Sequence, residues 1–162
     1  MWETISSSDE ISRFMERVYD FHDSCVKEIS YISGAYVNDS LSMYPLNDRR
    51  ILRVVIQGQF AEASMIELEF QGLKYLKLFP VDPYYTCEIL DSTMLLKDGD
   101  IYWCDCGDVT EDDLDDYKGT LICASKLRWR AIENHMGEKT FYHSDVEDQS
   151  EPSHETRNLR MP

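Results

Sequence analysis

The sequence predicts an α+β domain in which one N-terminal helix packs on a large, twisted, mainly antiparallel sheet of about six or seven strands. Three observations carry this expectation. Apolar residues recur at helical intervals only near the start of the chain, in residues 8–20. From about residue 25 the pattern changes to that of strands. Turn signals rather than helices separate the strand runs, which argues against a parallel sheet built from alternating βα units. A compact barrel is the competing architecture, because several strands are apolar on both faces.

The elements follow in order. Ser7 and Glu10 have the spacing of a capping box, and Ile11, Phe14, Met15 and Val18 then form one apolar stripe of a helix over 8–20. Residues 25–37 read as a strand bent at Gly34, and 38–48, with Pro45, Asn47 and Asp48, as a connection. In 50–60, Leu52, Val54 and Ile56 share one face of a strand. In 64–70, Ile66, Leu68 and Phe70 alternate with Met65, Glu67 and Glu69, which predicts one buried and one wet face. Gln71-Gly72 reads as a two-residue turn that folds 73–79 back as a hairpin, ended by Pro80 and Pro83. Residues 88–96 and 101–106 form a second hairpin around Lys97-Asp98-Gly99-Asp100. The last strand covers 120–132, with Leu121, Cys123, Leu127, Trp129 and Ala131 on one side. On the other, Lys126, Arg128 and Arg130 face water or an acidic neighbouring strand. Residues 1–136 are thus expected to form a single domain. After them apolar periodicity disappears, and 137–162 is expected to be a mobile acidic tail on which Phe141 and Tyr142 could dock locally.

Charge narrows the function. Sixteen Lys and Arg face 31 Asp and Glu, a formal net charge of −15 across 162 residues. Such an excess disfavours direct binding to nucleic acid or to an anionic membrane and steers a basic partner toward the surface. Solubility alone is the competing explanation. No apolar run approaches the ~20 residues that cross a bilayer, and Met1-Trp2-Glu3 does not open a signal peptide. The five cysteines make no disulfide framework, so a reducing cytoplasm is the expected setting.

Several clusters invite a chemical reading. His22 and Asp23, beside Cys25 at the junction of helix and strand, form a candidate ligand site. The structural alternative has them closing the helix end. Cys104 and Cys106, at i and i+2, would share a strand face, yet they lack the second pair that a zinc site needs. Glu67 and Glu69, about 7 Å apart on one strand face, have a spacing compatible with glycosidase chemistry. They fit a solvated face with Lys77 as a cross-strand partner equally well. Asp105, Asp108, Glu111, Asp112, Asp113, Asp115 and Asp116, with Tyr117, make an acidic segment without the order of an EF-hand. It reads as a solvated acidic loop or, as the functional alternative, a partner-binding patch, and Thr110 could cap a short helix within it. No phosphate-binding glycine loop, H-E-x-x-H or nucleophile elbow is present. Catalytic residues, metal ligands and cofactors are therefore none by this reading.

Trp2-x-x-Ile5, a short first helix, Phe21-His22-Asp23-Ser24 and a following hydrophobic strand together resemble small bacterial proteins grouped with the immunity proteins of polymorphic-toxin systems. The resemblance covers mainly residues 2–34, with the strand pattern continuing to about 132. It implies a cytoplasmic α+β protein that binds and neutralises a toxin, and a basic toxin would suit the charge. The sequence thus predicts an acidic protein-binding module. Tyr84, Tyr85 and Tyr117 are its candidate aromatic anchors. A small enzyme or metal-binding protein using the His22, Asp23 and cysteine region, or a homodimer formed through an open sheet edge, is the alternative.

Overall fold

The structure is a computed structural model and describes residues 1–60 and 62–142. The chain runs β1 (Glu3–Ile5), α1 (Ser8–Arg17), a 3-10 turn (Tyr19–Phe21), β2 (Ser24–Ile32), β3 (Tyr36–Val37), β4 (Met43–Tyr44) and β5 (Ile51–Gly58). It continues through β6 (Met65–Lys77), β7 (Thr93–Lys97), β8 (Asp100–Cys104), a 3-10 helix (Glu111–Asp116) and β9 (Leu121–Ala131). Seven strands form one antiparallel sheet in the order β2-β5-β6-β9-β8-β7, with β1 joined to β9 beside β8. This is the α+β architecture expected. The sheet curls far enough for Ile89, ahead of β7, to bridge Ser24 of β2. The barrel alternative is met by that single bridge alone.

The helix begins where its cap demands. Ser7 Oγ accepts the Glu10 amide at 3.3 Å, while the Glu10 carboxylate turns back to Ser6 N and Oγ, both at 2.8 Å. It ends three residues before its expected limit, because Tyr19, Asp20 and Phe21 all take left-handed φ values of 50–59°. That turn buries Val18 and Phe21 together and leaves Tyr19 outside. Phe14 then packs on Phe21 and Trp129, with ring centroids 5.8 and 4.9 Å apart, and Phe21 meets Trp103 edge-on. The main core adds Leu52, Val54 and Ile56 from β5 and Ile66, Leu68 and Phe70 from β6, the stripes their alternation predicts.

The strand pattern departs from expectation at four places. The 25–37 run stops at Ile32, bends at Gly34, and resumes as a small separate hairpin in which Tyr36 stacks on Tyr44 at 4.8 Å. The Gln71-Gly72 hairpin does not form. β6 runs straight through it as one 13-residue strand. Gly72 supplies a left-handed residue (φ +64°) and a bulge follows between Leu73 and Tyr75, so the glycine bends the strand instead of reversing it. The stretch before β7 holds only the Ile89 bridge. Finally, the apolar side of β9 changes phase opposite Gly72. Leu121 packs with Cys104 and Leu114, whereas Ile122, Ala124, Leu127 and Trp129 join the main core. The β7–β8 turn forms as expected, with positive φ at both Asp98 and Gly99.

Because Phe14 joins helix, turn and sheet, Phe14→Ala is expected to cost about 3–5 kcal/mol of unfolding free energy. Urea denaturation checks this, and a change under ~1 kcal/mol would mean that α1 is not part of the cooperative unit.

Candidate functional site

The acidic segment is built around two anchors. Asp105 Oδ1 accepts both the Tyr117 hydroxyl at 2.6 Å and the Thr120 amide at 2.9 Å, closing the base of the loop. Leu114, buried at its centre, packs on Cys104 and Leu121. Burial, reinforced by the hydrogen bond to Asp105 and that carboxylate's charge, pushes the Tyr117 phenol up, so it remains a donor. Asp113 accepts the Thr110 amide at 2.9 Å and its hydroxyl at 2.6 Å; these bonds hold its carboxyl below the ordinary value. The eight residues expected to bind a partner therefore divide. Asp105, Asp113 and Tyr117 are engaged in holding the segment together. Asp108, Glu111, Asp112, Asp115 and Asp116 are exposed and make no ion pair among the described residues. The candidate anchors Tyr84 and Tyr85 are also exposed, at the turn closed by Tyr85 N to Asp82 O.

His22 and Asp23 pair with one another, Nδ1 to Oδ1 at 3.1 Å, with both side chains at least half exposed. They line a shallow cleft with Tyr19, Gln59 and Phe60, which includes no cysteine. Cys104 lies under the 3-10 helix, and Cys106, past the end of β8, is exposed. Cys25 lines a neighbouring cleft with Cys87, which Asp23 also borders. The structure thus keeps His22 and Asp23 apart from Cys104, and the chain leaves the strand before Cys106 can share its face. Among the described residues no group of three or more His, Cys, Asp or Glu is placed to hold a metal ion.

The largest correction concerns Glu67 and Glu69. They do not face water: both are fully buried. Nor is Lys77 their partner, since it lies opposite Leu121 and donates to the Tyr117 carbonyl. β6 is central, and its neighbours bring arginines to the same face. Glu69 accepts Arg53 Nε at 3.0 Å, Arg128 Nη2 at 2.7 Å and the Gln71 amide at 2.7 Å. Glu67 accepts Arg130 through Nε at 2.6 Å and the Tyr142 hydroxyl at 2.5 Å. Trp2 spans Arg128 and Arg130, 4.4 and 4.6 Å from its ring. From the other end, Phe141 and Tyr142 donate backbone amides to Glu28, and Gly137 O accepts Lys27. The local docking expected of Phe141 and Tyr142 occurs, and the remainder of the expected tail, from 143 on, lies outside the described residues. The complementary Glu-x-Glu and Arg-x-Arg patterns were the available signal, but they become informative only once β6 and β9 are known to be neighbours.

Compared with known proteins, the chain matches no family model, no curated protein and no solved structure.

Burial alone pushes the Glu69 carboxyl up, but hydrogen bonds from Gln71 and Arg128 and the charges of Arg128 and Arg53 outweigh it and hold it below its ordinary value. Its stabilising contribution is therefore complete above the unfolded value of about 4.3 and is lost as pH falls through the folded one. Glu69→Gln is expected to cost about 2–4 kcal/mol at neutral pH, moderated because its arginines are about one-third exposed. Urea unfolding of both proteins should show the gap narrowing as pH falls below about 4.3. A gap independent of pH would mean that shape rather than charge is responsible.

Proposed function

We propose that this chain is an acidic protein-binding module that recognises a basic protein, as a toxin-neutralising immunity protein would. The observation that supports the reading is the segregation of charge. Arg53, Arg128 and Arg130 are turned onto buried Glu67 and Glu69, which offset two of their three positive charges within the sheet. Glu111, Asp112, Asp115 and Asp116 project from a short helix that Leu114 and the Asp105–Tyr117 bond hold in place. A fixed set of unpaired carboxylates on a firm base accelerates and orients encounter with a basic surface. The exposed Tyr84 and Tyr85 provide rigid aromatic area of the kind that anchors protein interfaces.

Affinity capture from a cell extract at low and high salt tests this. A basic protein should be retained at low ionic strength and released as salt rises. Asp112→Asn, Asp115→Asn and Asp116→Asn combined should weaken the purified pair about tenfold, since each rim charge contributes about 0.2–1 kcal/mol. Asp113 stays unchanged to preserve the Thr110 contacts. A partner that is not basic, or affinity indifferent to salt and to these substitutions, would overturn the reading.

A further inference from the structure

A second acidic feature lies between α1 and the start of β7, bordered by Asp108 of the acidic segment. There a cleft of about 550 Å³ is lined by Glu16 of α1, Asp20 of the left-handed turn, Asp91 and Asp108. No Lys or Arg lines it, and none of the four carboxylates forms an ion pair among the described residues. Burial foremost, and then the charge of Asp91 nearby, push the Asp20 carboxyl up. The carboxylates come from separate segments, so no single local motif explains their convergence.

A different kind of group marks the same cleft. Ser92 lines it and is only 5% exposed, yet its Oγ has no hydrogen-bond partner among the described residues. A buried hydroxyl without a partner is destabilising, so such a group signals an unmet acceptor or donor requirement. Met15 and Met94 supply apolar wall beside the polar groups. The lining therefore combines negative charge from several directions, one buried hydroxyl and an apolar strip.

We propose that this cleft receives an arginine side chain of the basic partner. A guanidinium presents five N–H donors in a planar fork and matches acceptors arranged around it, whereas an ammonium is a point charge. Its aliphatic stem suits Met15 and Met94. The volume admits the side chain together with part of the loop that carries it. The inference rests on the reading of the chain as an acidic binding module and assigns it a specific receptor point beyond the exposed helix.

The test uses the full chain, 15N-labelled, titrated with N-acetyl-arginine amide, N-acetyl-lysine amide and the neutral isostere N-acetyl-citrulline amide. The arginine derivative should give saturable amide shifts at Ser92, Thr93, Met94 and residues 12–16. The lysine derivative should bind more weakly and the citrulline derivative not at all. Asp20→Asn with Asp91→Asn should reduce arginine affinity at least ~10-fold. Asparagine tolerates the left-handed backbone of residue 20, so this variant should fold. Ser92→Ala should weaken arginine binding while raising the melting temperature, a combination that a purely structural serine would not produce. The triple Asn variant of the 3-10 helix should leave the titration unchanged. Equal shifts with arginine and citrulline, shifts confined to 111–116, or no shift at Ser92 would overturn the proposal. A captured basic protein that binds wild type and the Asp20/Asp91 variant alike would remove the pocket and leave the binding module standing. Occupancy of the cleft by the arginine derivative with no basic protein retained would do the reverse.

Discussion

Two carboxylates in the middle of a sheet must have cations beside them, and most of this architecture is arranged around that requirement. An ionised group moved into a low-dielectric interior loses several kcal/mol of solvation even after relaxation. Glu67 and Glu69 sit in β6 with that cost unavoidable. Arg53 arrives from β5 on one side, and Arg128 and Arg130 from β9 on the other. Glu69 lies directly opposite both Arg53 and Arg128, and Glu67 opposite Arg130. A slip of one residue in either pairing would set a carboxylate beside an apolar side chain and would also turn the core stripe outward. Charge on one face and apolar burial on the other therefore specify the same register.

The network also draws in Trp2 and Tyr142 from distant parts of the chain. Arginines flanking the carboxylates remain partly accessible, and Trp2 covers two of them with its ring. β1 holds that tryptophan in place by pairing with β9, Thr4 opposite Arg128. Tyr142 closes the carboxylate side through its hydroxyl. Burial, the hydrogen bond to Glu67 and that residue's charge push its phenol up, which keeps the proton available for donation. Around Glu67 and Glu69 the second face of the sheet is thus a polar layer satisfied from both sides, beside the apolar cluster of Cys104, Leu114 and Leu121, while the first packs against α1. Both layers brace the sheet, and the acidic segment inherits a rigid footing through Leu114 and Asp105. With three arginines drawn onto these two carboxylates, the net charge of −15 leaves the outer surface dominated by carboxylates.

Local signals in the sequence account for much of the fold. The capped stripe of α1, the alternation in β5 and in the first half of β6, and the Asp98-Gly99 turn each depend on residues within a few positions of one another. The strong acidity and the short helix inside it were visible for the same reason. Gly72 was ambiguous because a left-handed glycine serves both a hairpin turn and a bulge within a long strand. Only β9, lying alongside the whole of β6, selects the second. The Glu67 and Glu69 face read as wet because alternation separates two faces without saying whether a charged face meets solvent or an opposite charge. Arg128 and Arg130 carried the complementary hint, since an acidic neighbouring strand was one of their two expected surroundings.

What the sequence by itself determined is therefore the class of elements, the stripe that enters the core and the sign of the surface, all properties of short windows and composition. The tertiary structure decided which strands are neighbours. That choice converts two apparently exposed glutamates into a buried ion network, separates His22 and Asp23 from Cys104, and gathers Glu16, Asp20, Asp91 and Asp108 around Ser92. The physical reason is that neighbour choice depends on interactions between residues distant in the chain. Their energy exists only when the sheet is assembled.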